Sequence, residues 1–182
     1  VRIENEAEDK AFPVIAVGNE SPVFAACDYD KKIRIYDGEK GTLIHEYETN
    51  RNVESIREMK FILGDRYLAV LTKESTNAYQ IIRLEDGQVV YQLATEDDWS
   101  YANLVVQEDT AHNRIYLFDN EHNTDAVSID TSFWVELDRV KGLRGVLGGD
   151  SLIVQNGFRE LQLQQRYDLS SLVEMAENVL TR

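Results

Sequence analysis

The side chains able to do chemistry in this 182-residue sequence are few and scattered. Three histidines are present, His45, His112 and His122, and none stands in a metal-ligand array. His45 alternates with Leu43 and Tyr47, which makes it a packing or surface residue of a strand. The run from Asp119 to Asp125 has oxygens at alternate positions, with Asp130 at the twelfth place, the alternation a calcium loop uses. The glycine such a loop needs at position six is Thr124, the final Glu is an Asp, and residues 126–129 read as strand. A solvated hairpin fits better. Glu96-Asp97-Asp98-Trp99 and Glu108-Asp109 offer paired carboxylates of the kind used in glycoside hydrolysis, but in so acidic a chain they read as solvated loops. Cys27 ends the apolar run Val23–Cys27 with no His or Asn beside it, the setting of a small buried hydrophobe. No G-x-S-x-G, phosphate-binding glycine loop, H-E-x-x-H or C-x-x-C occurs. No residue is nominated as catalytic, cofactor-binding or metal-ligating, and no cofactor is expected.

The totals bound the rest. The chain carries 33 acidic and 19 basic residues, a net charge of −14, which repels phosphate backbones and anionic lipid. Nucleic acid and membranes are therefore not expected partners; basic or neutral protein surfaces are. A hydrophobic fraction of 43% with only two prolines belongs to a folded chain, and this length buries roughly 70% of its unfolded surface. A single cysteine excludes an internal disulfide. No apolar run approaches the ~18 residues of a membrane span and no signal peptide is evident, so the expected location is cytoplasmic. The first residue is Val rather than Met, which suggests a piece of a longer polypeptide.

Positioning elements come from period-2 alternation interrupted by turn residues every eight to twelve positions. Ile33 to Asp37 and Leu43 to Tyr47 form a strand pair around Gly38 and Gly41. Arg66 to Leu71, Ala78 to Leu84 and Gln88 to Leu93 follow, with a polar loop from Thr72 to Asn77. Later strands are Asn103 to Val106, Arg114 to Phe118, Ala126 to Ile129, Phe133 to Leu137, Arg144 to Leu147, Ser151 to Gln155 and Glu160 to Gln164. Three stretches share one grammar of strand, acidic turn and strand, beginning at Ile33, Ile81 and Ala126, and a further strand pair precedes each. A period of roughly 40–50 residues with about four antiparallel strands per unit is that of β-propeller blades. The expected fold is all-β, a propeller-like array of about four four-stranded blades in one domain, over residues 13–50, 51–95, 96–140 and 141–167. A short amphipathic helix is expected over 168–182, with Ser171-x-x-Glu174 as a capping box.

At Asp30-Lys31-Lys32-Ile33-Arg34-Ile35-Tyr36-Asp37 the sequence resembles the WD repeat, with Tyr36 in the Trp position. The resemblance implies a turn-orienting role for Asp30 and packing between blades for Tyr36 and Asp37. The second unit places Leu84-Glu85, and the third Ile129-Asp130, where the first has Tyr36-Asp37. The Asp-Gly-x-Val-Val-Tyr of 86–91 is also similar to quinoprotein-type propellers. The terminal stretch resembles the helix that closes propellers at the C-terminus of some large bacterial signalling proteins.

Two functions follow from this reading. One is a non-catalytic scaffold or sensor module that binds a protein or another domain of its own polypeptide. The alternative is a propeller enzyme or a small-ligand or metal-binding module with its site in the central channel, where residues distant in sequence converge. A half-ring would expose a blade face and a strand edge, which makes a homodimer the expected state of such a half-ring. Sedimentation at low micromolar concentration is expected to give twice the monomer mass of 20.9 kDa. A monomer mass would instead mark a compact four-bladed ring.

Overall fold

A computed structural model describes residues 14–27, 32–48, 56–72, 79–93, 105–118, 125–147, 151–156 and 160–165. Asp30 and the helix expected over 168–182 lie outside the described residues. So do the acidic run at 96–99 and His122. The chain divides into two compact units, residues 1–104 and 105–182.

The first unit holds two four-stranded antiparallel sheets whose strands follow one another in chain order. The first sheet contains β1 (Val14–Val17), β2 (Val23–Cys27), β3 (Lys32–Asp37) and β4 (Leu43–Glu48). The second contains β5 (Ile56–Ile62), β6 (Tyr67–Thr72), β7 (Tyr79–Arg83) and β8 (Val89–Leu93). In β6 the run Leu68-Ala69-Val70-Leu71 is buried on both faces, so it reads as continuously apolar rather than alternating. Outer strand β4 is largely exposed, and β8 is partly exposed and ends on buried Leu93. One core joins the two sheets: Ala25, Cys27, Ile33 and Ile35 pack with Met59, Phe61, Leu68 and Val70. Cys27 is fully buried there, in the apolar setting its neighbours suggest.

The second unit repeats the plan with β9 (Val105–Asp109), β10 (Arg114–Phe118), β11 (Ala126–Asp130) and β12 (Val135–Val140). Its other sheet has three described strands, β13 (Leu143–Leu147), β14 (Ser151–Asn156) and β15 (Glu160–Gln165). Tyr116, Phe118 and Ala126 pack with Leu143, Leu152 and Val154 to form a core between these sheets. The Gln107 side-chain oxygen accepts from the backbone N–H of Val146, tying β9 to β13.

Several sequence expectations are corrected. Thr72, placed in a loop, is the buried last residue of β6. Phe133 and Trp134, placed in a strand for their aromatic β-propensity, occupy a turn, and β12 begins at Val135. Glu108 and Asp109 are not a solvated loop. They end β9, and Asp109 is buried.

Tyr47 of β4 reaches across the first unit to the other sheet. Its hydroxyl donates to the Leu84 carbonyl oxygen at 3.3 Å, and its ring lies where a Cβ on Gly87 would be. Gly87 also has φ of 72°, a conformation L side chains resist. Gly87→Ala is expected to lower stability by about 1–3 kcal/mol in urea unfolding, through backbone strain and overpacking. In a Tyr47→Ala background the same change should cost measurably less, because the ring contact is gone while the φ strain stays.

Candidate functional site

The residues that sequence comparison singles out turn out to build loops. Between β3 and β4, Gly41 N–H donates to the Asp37 carbonyl at 2.7 Å. Gly87 N–H donates to Arg83 at 2.9 Å and Trp134 N–H to Asp130 at 2.8 Å. The donors have φ of 68°, 72° and 57°, so three hairpins share one loop form. A register shift precedes each loop, at Ile35/Tyr36, Ile81/Ile82 and Ser128/Ile129. In the second hairpin the counterpart of Tyr36-Asp37 is therefore Ile82-Arg83, two residues before the Leu84-Glu85 expected there from the sequence. The third, Ile129-Asp130, stands where expected.

Side chains close these loops in different ways. Asp37 Oδ1 accepts from Glu39 and Lys40 N–H at 3.0 and 2.9 Å, and Asp130 Oδ1 from Ser132 and Phe133 N–H at 2.7 and 2.9 Å. The Lys40 N–H chiefly holds the Asp37 carboxyl below its ordinary value against the opposing effect of burial. At the second hairpin the signs are exchanged: Arg83 grips Asp86 with two bonds, at 3.0 and 2.6 Å, where the first pairs Asp37 with Lys40 at 3.2 Å. Tyr36 is buried and stacks on Phe24 of β2, ring centroids 5.0 Å apart.

The densest polar cluster was not legible in the sequence. Asp65 sits in the β5–β6 turn, where Leu63, Gly64 and Asp65 have φ of 54°, 67° and 57°. Its carboxylate accepts from Asn19, Glu20 and Ser21 N–H at 2.9, 2.7 and 2.7 Å and from the Ser21 hydroxyl at 3.1 Å. One side chain thus satisfies the β1–β2 turn of the neighbouring sheet. Burial pushes its pKa up, but the N–H groups of Asn19, Ser21 and Glu20 outweigh that and leave it below the ordinary value.

Beside Asp65 a cleft of about 390 Å³ opens between the two sheets of the first unit. Val23, Ile35, Ile44 and Leu84 supply apolar lining, and His45, Arg66, Arg83 and Glu85 supply polar groups. Arg66 is oriented by a bond from Nε to the Leu63 carbonyl, and His45 stacks on Tyr47 with centroids 5.9 Å apart. Such a lining can hold an amphipathic group by shape and hydrogen bonding. In the second unit His112 Nδ1 lies 2.9 Å from Asp109 Oδ2, at the end of the short 3-10 turn Thr110–His112. Among the described residues no three His, Cys, Asp or Glu side chains group as a metal site would require. Nor do they include a helix long and apolar enough to cross a membrane.

No family model matches the chain, and no curated protein does. Solved structures do. The computationally designed Ika4 protein superposes with a TM-score of 0.57 at 12% identity, over 90% of this chain and 96% of its own. AztD from Citrobacter koseri in its apo form gives 0.55 at 12%, over 77% of this chain and 38% of its own. The designed Ika8 protein gives 0.54 at 11%, over 82% and 45%. The chain thus spans less than half of the last two. With these likenesses and four antiparallel sheets in chain order, the fold is propeller-like.

The Asp65 cluster generates a pH dependence. A carboxyl whose folded pKa lies below its unfolded value, about 4, adds stability above that pH and loses it as pH falls through the folded value. Asp65→Asn is expected to cost about 1–3 kcal/mol at pH 7, since an amide cannot serve all four donors. It should also flatten the acid limb of stability below about pH 4. At the other extreme the Tyr47 phenol is pushed up to about 12, first by burial and then by Asp86. Its contribution is whole below about pH 10 and declines above it, so Tyr47→Phe should lessen the alkaline loss in pH-jump denaturation.

Proposed function

We propose that this chain is a non-catalytic interaction scaffold or sensor module of a larger signalling protein, built from WD-repeat-like blades and working in the cytoplasm. Its partner is a protein or another domain of the same polypeptide, rather than nucleic acid or membrane. One observation carries the reading: β15 is exposed along its whole length, with Leu161 and Leu163 at 68% and 66% exposure on the outermost described strand of its sheet. An exposed strand bearing two leucines invites pairing with another chain. The carboxylates of Asp37 and Asp130 favour the same reading, because both are engaged by loop N–H groups.

A ligand-binding role is the second reading, and the mixed lining of the cleft beside Asp65 favours it. Self-association through an incomplete ring remains part of the first, as a homodimer.

The two readings separate in one comparison. The immobilised chain and a Leu161→Glu/Leu163→Glu variant with unchanged circular dichroism are exposed to cell extract, and bound proteins are quantified by mass spectrometry. The scaffold reading expects at least one protein enriched on the native chain and reduced fivefold or more on the variant. No difference, together with a melting-temperature rise of several degrees on adding calcium or a small-molecule library member, would favour ligand binding instead.

A further inference from the structure

We propose that β15 accepts an added strand from an extended, acidic peptide segment of a partner protein. The proposal rests on the interaction reading above and names the chemistry of the partner.

The place for that strand is defined by the other sheets. First strands meet first strands: β13 contacts β9 as β1 contacts β5. The strands of the last sheet therefore occupy the first three positions, and β15 corresponds to β3, β7 and β11. Those three are mostly buried, each flanked by a fourth strand, β4, β8 or β12. Every residue of β15 is exposed, and no described strand pairs with its outer edge. Its backbone groups on that side are a template for main-chain hydrogen bonds.

Charge selects the occupant. A cleft of about 480 Å³ runs between the end of β12 and the strands β14 and β15. Arg139 and Lys141 line it with the amides of Asn156, Gln162 and Gln164, and no carboxylate is among its described lining residues. In a chain of net charge −14 this lining offers two cations, Arg139, which is paired with Glu136, and Lys141, which is left to meet an incoming carboxylate. Arg139 is held by Glu136, Nε to Oε1 at 2.8 Å, which fixes its fork. Asn156 Nδ2 donates to Gln162 Oε1 at 2.7 Å, and Gln162 Nε2 donates to Glu160 Oε1 at 2.9 Å, so this ladder is already ordered. Lys141 and Gln164 make no side-chain bond with any described residue. A strand added to β15 with carboxylates at alternate positions would meet these groups on one face and present apolar side chains beside Leu161 and Leu163 on the other.

Fluorescein-labelled Val-Glu-Val-Glu-Val-Glu, capped at both ends, and its Val-Lys counterpart serve as probes in anisotropy titrations. The acidic peptide should bind at least tenfold tighter than the basic one and weaken as salt rises. Lys141→Glu should lose fivefold or more for the acidic peptide and gain for the basic one. A version of the acidic peptide N-methylated at alternate residues should bind far more weakly, and amide exchange should slow along β15 on binding. Equal binding of both charges, displacement by inorganic phosphate alone, or binding without protection of β15 would each overturn the proposal. So would β15 amides already as protected as those of β14 in the free protein, which would mean the edge is filled by the chain itself. Failure here is distinct from failure of the interaction reading: a partner captured from extract but not displaced by the acidic peptide would leave that reading standing and remove this site.

Discussion

A sheet whose middle strands are apolar on both faces needs cover on both faces, and that requirement governs this chain. In β6 and β10 almost every residue is buried, so alternation disappears and two layers must press on each sheet. A core shared by neighbouring sheets follows directly, as in the first unit, where Ile33 and Ile35 of one sheet meet Phe61, Leu68 and Val70 of the other. Turns then have to match one another across that core. Asp65 does this with a single carboxylate that satisfies three N–H groups and a hydroxyl of the neighbouring sheet's hairpin. A buried carboxylate is unfavourable alone; surrounded by four donors it becomes an anchor.

Much of this was legible in the residues, for physical reasons that differ by element. Third strands such as β3 and β11 announce themselves through β-branched residues and a following turn. The four-sheet array follows from their repetition. β5 is harder to read because a register shift between Ile56 and Glu58 changes the phase of its buried residues, Ile56, Met59, Phe61 and Ile62. Three charged residues in between complete the disguise. Phe133 and Trp134 mislead in the opposite sense: their β-propensity is strong, but Asp130 accepts from the N–H groups that follow and bends the chain into a turn. Trp134 accepts the left-handed conformation that glycine takes in the other two hairpins.

The candidate sites were less legible than the fold. No spacing in the sequence couples Asp65 to Asn19, because the link spans two hairpin tips more than forty residues apart along the chain. His112 and Asp109 are three apart, yet their pairing depends on the short 3-10 turn between β9 and β10 that no periodicity marks. The cation-lined cleft near β15 draws Arg139 from β12, Lys141 from the turn that follows it, and Gln162 and Gln164 from β15 of the next sheet. Such a site exists only once the sheets are assembled.

The exchanged ion pair at the loops has an evolutionary reading. Asp37 and Lys40 in the first hairpin correspond to Arg83 and Asp86 in the second, so the loop is kept while each charge changes hands. A recombination point inside either loop would bring two carboxylates, or two cations, together at one turn. Each of these two hairpins therefore carries its own ion pair whole, and a crossover within the loop would break it. Descent by duplication would leave this mark: a shared backbone course carried by residues that no longer align.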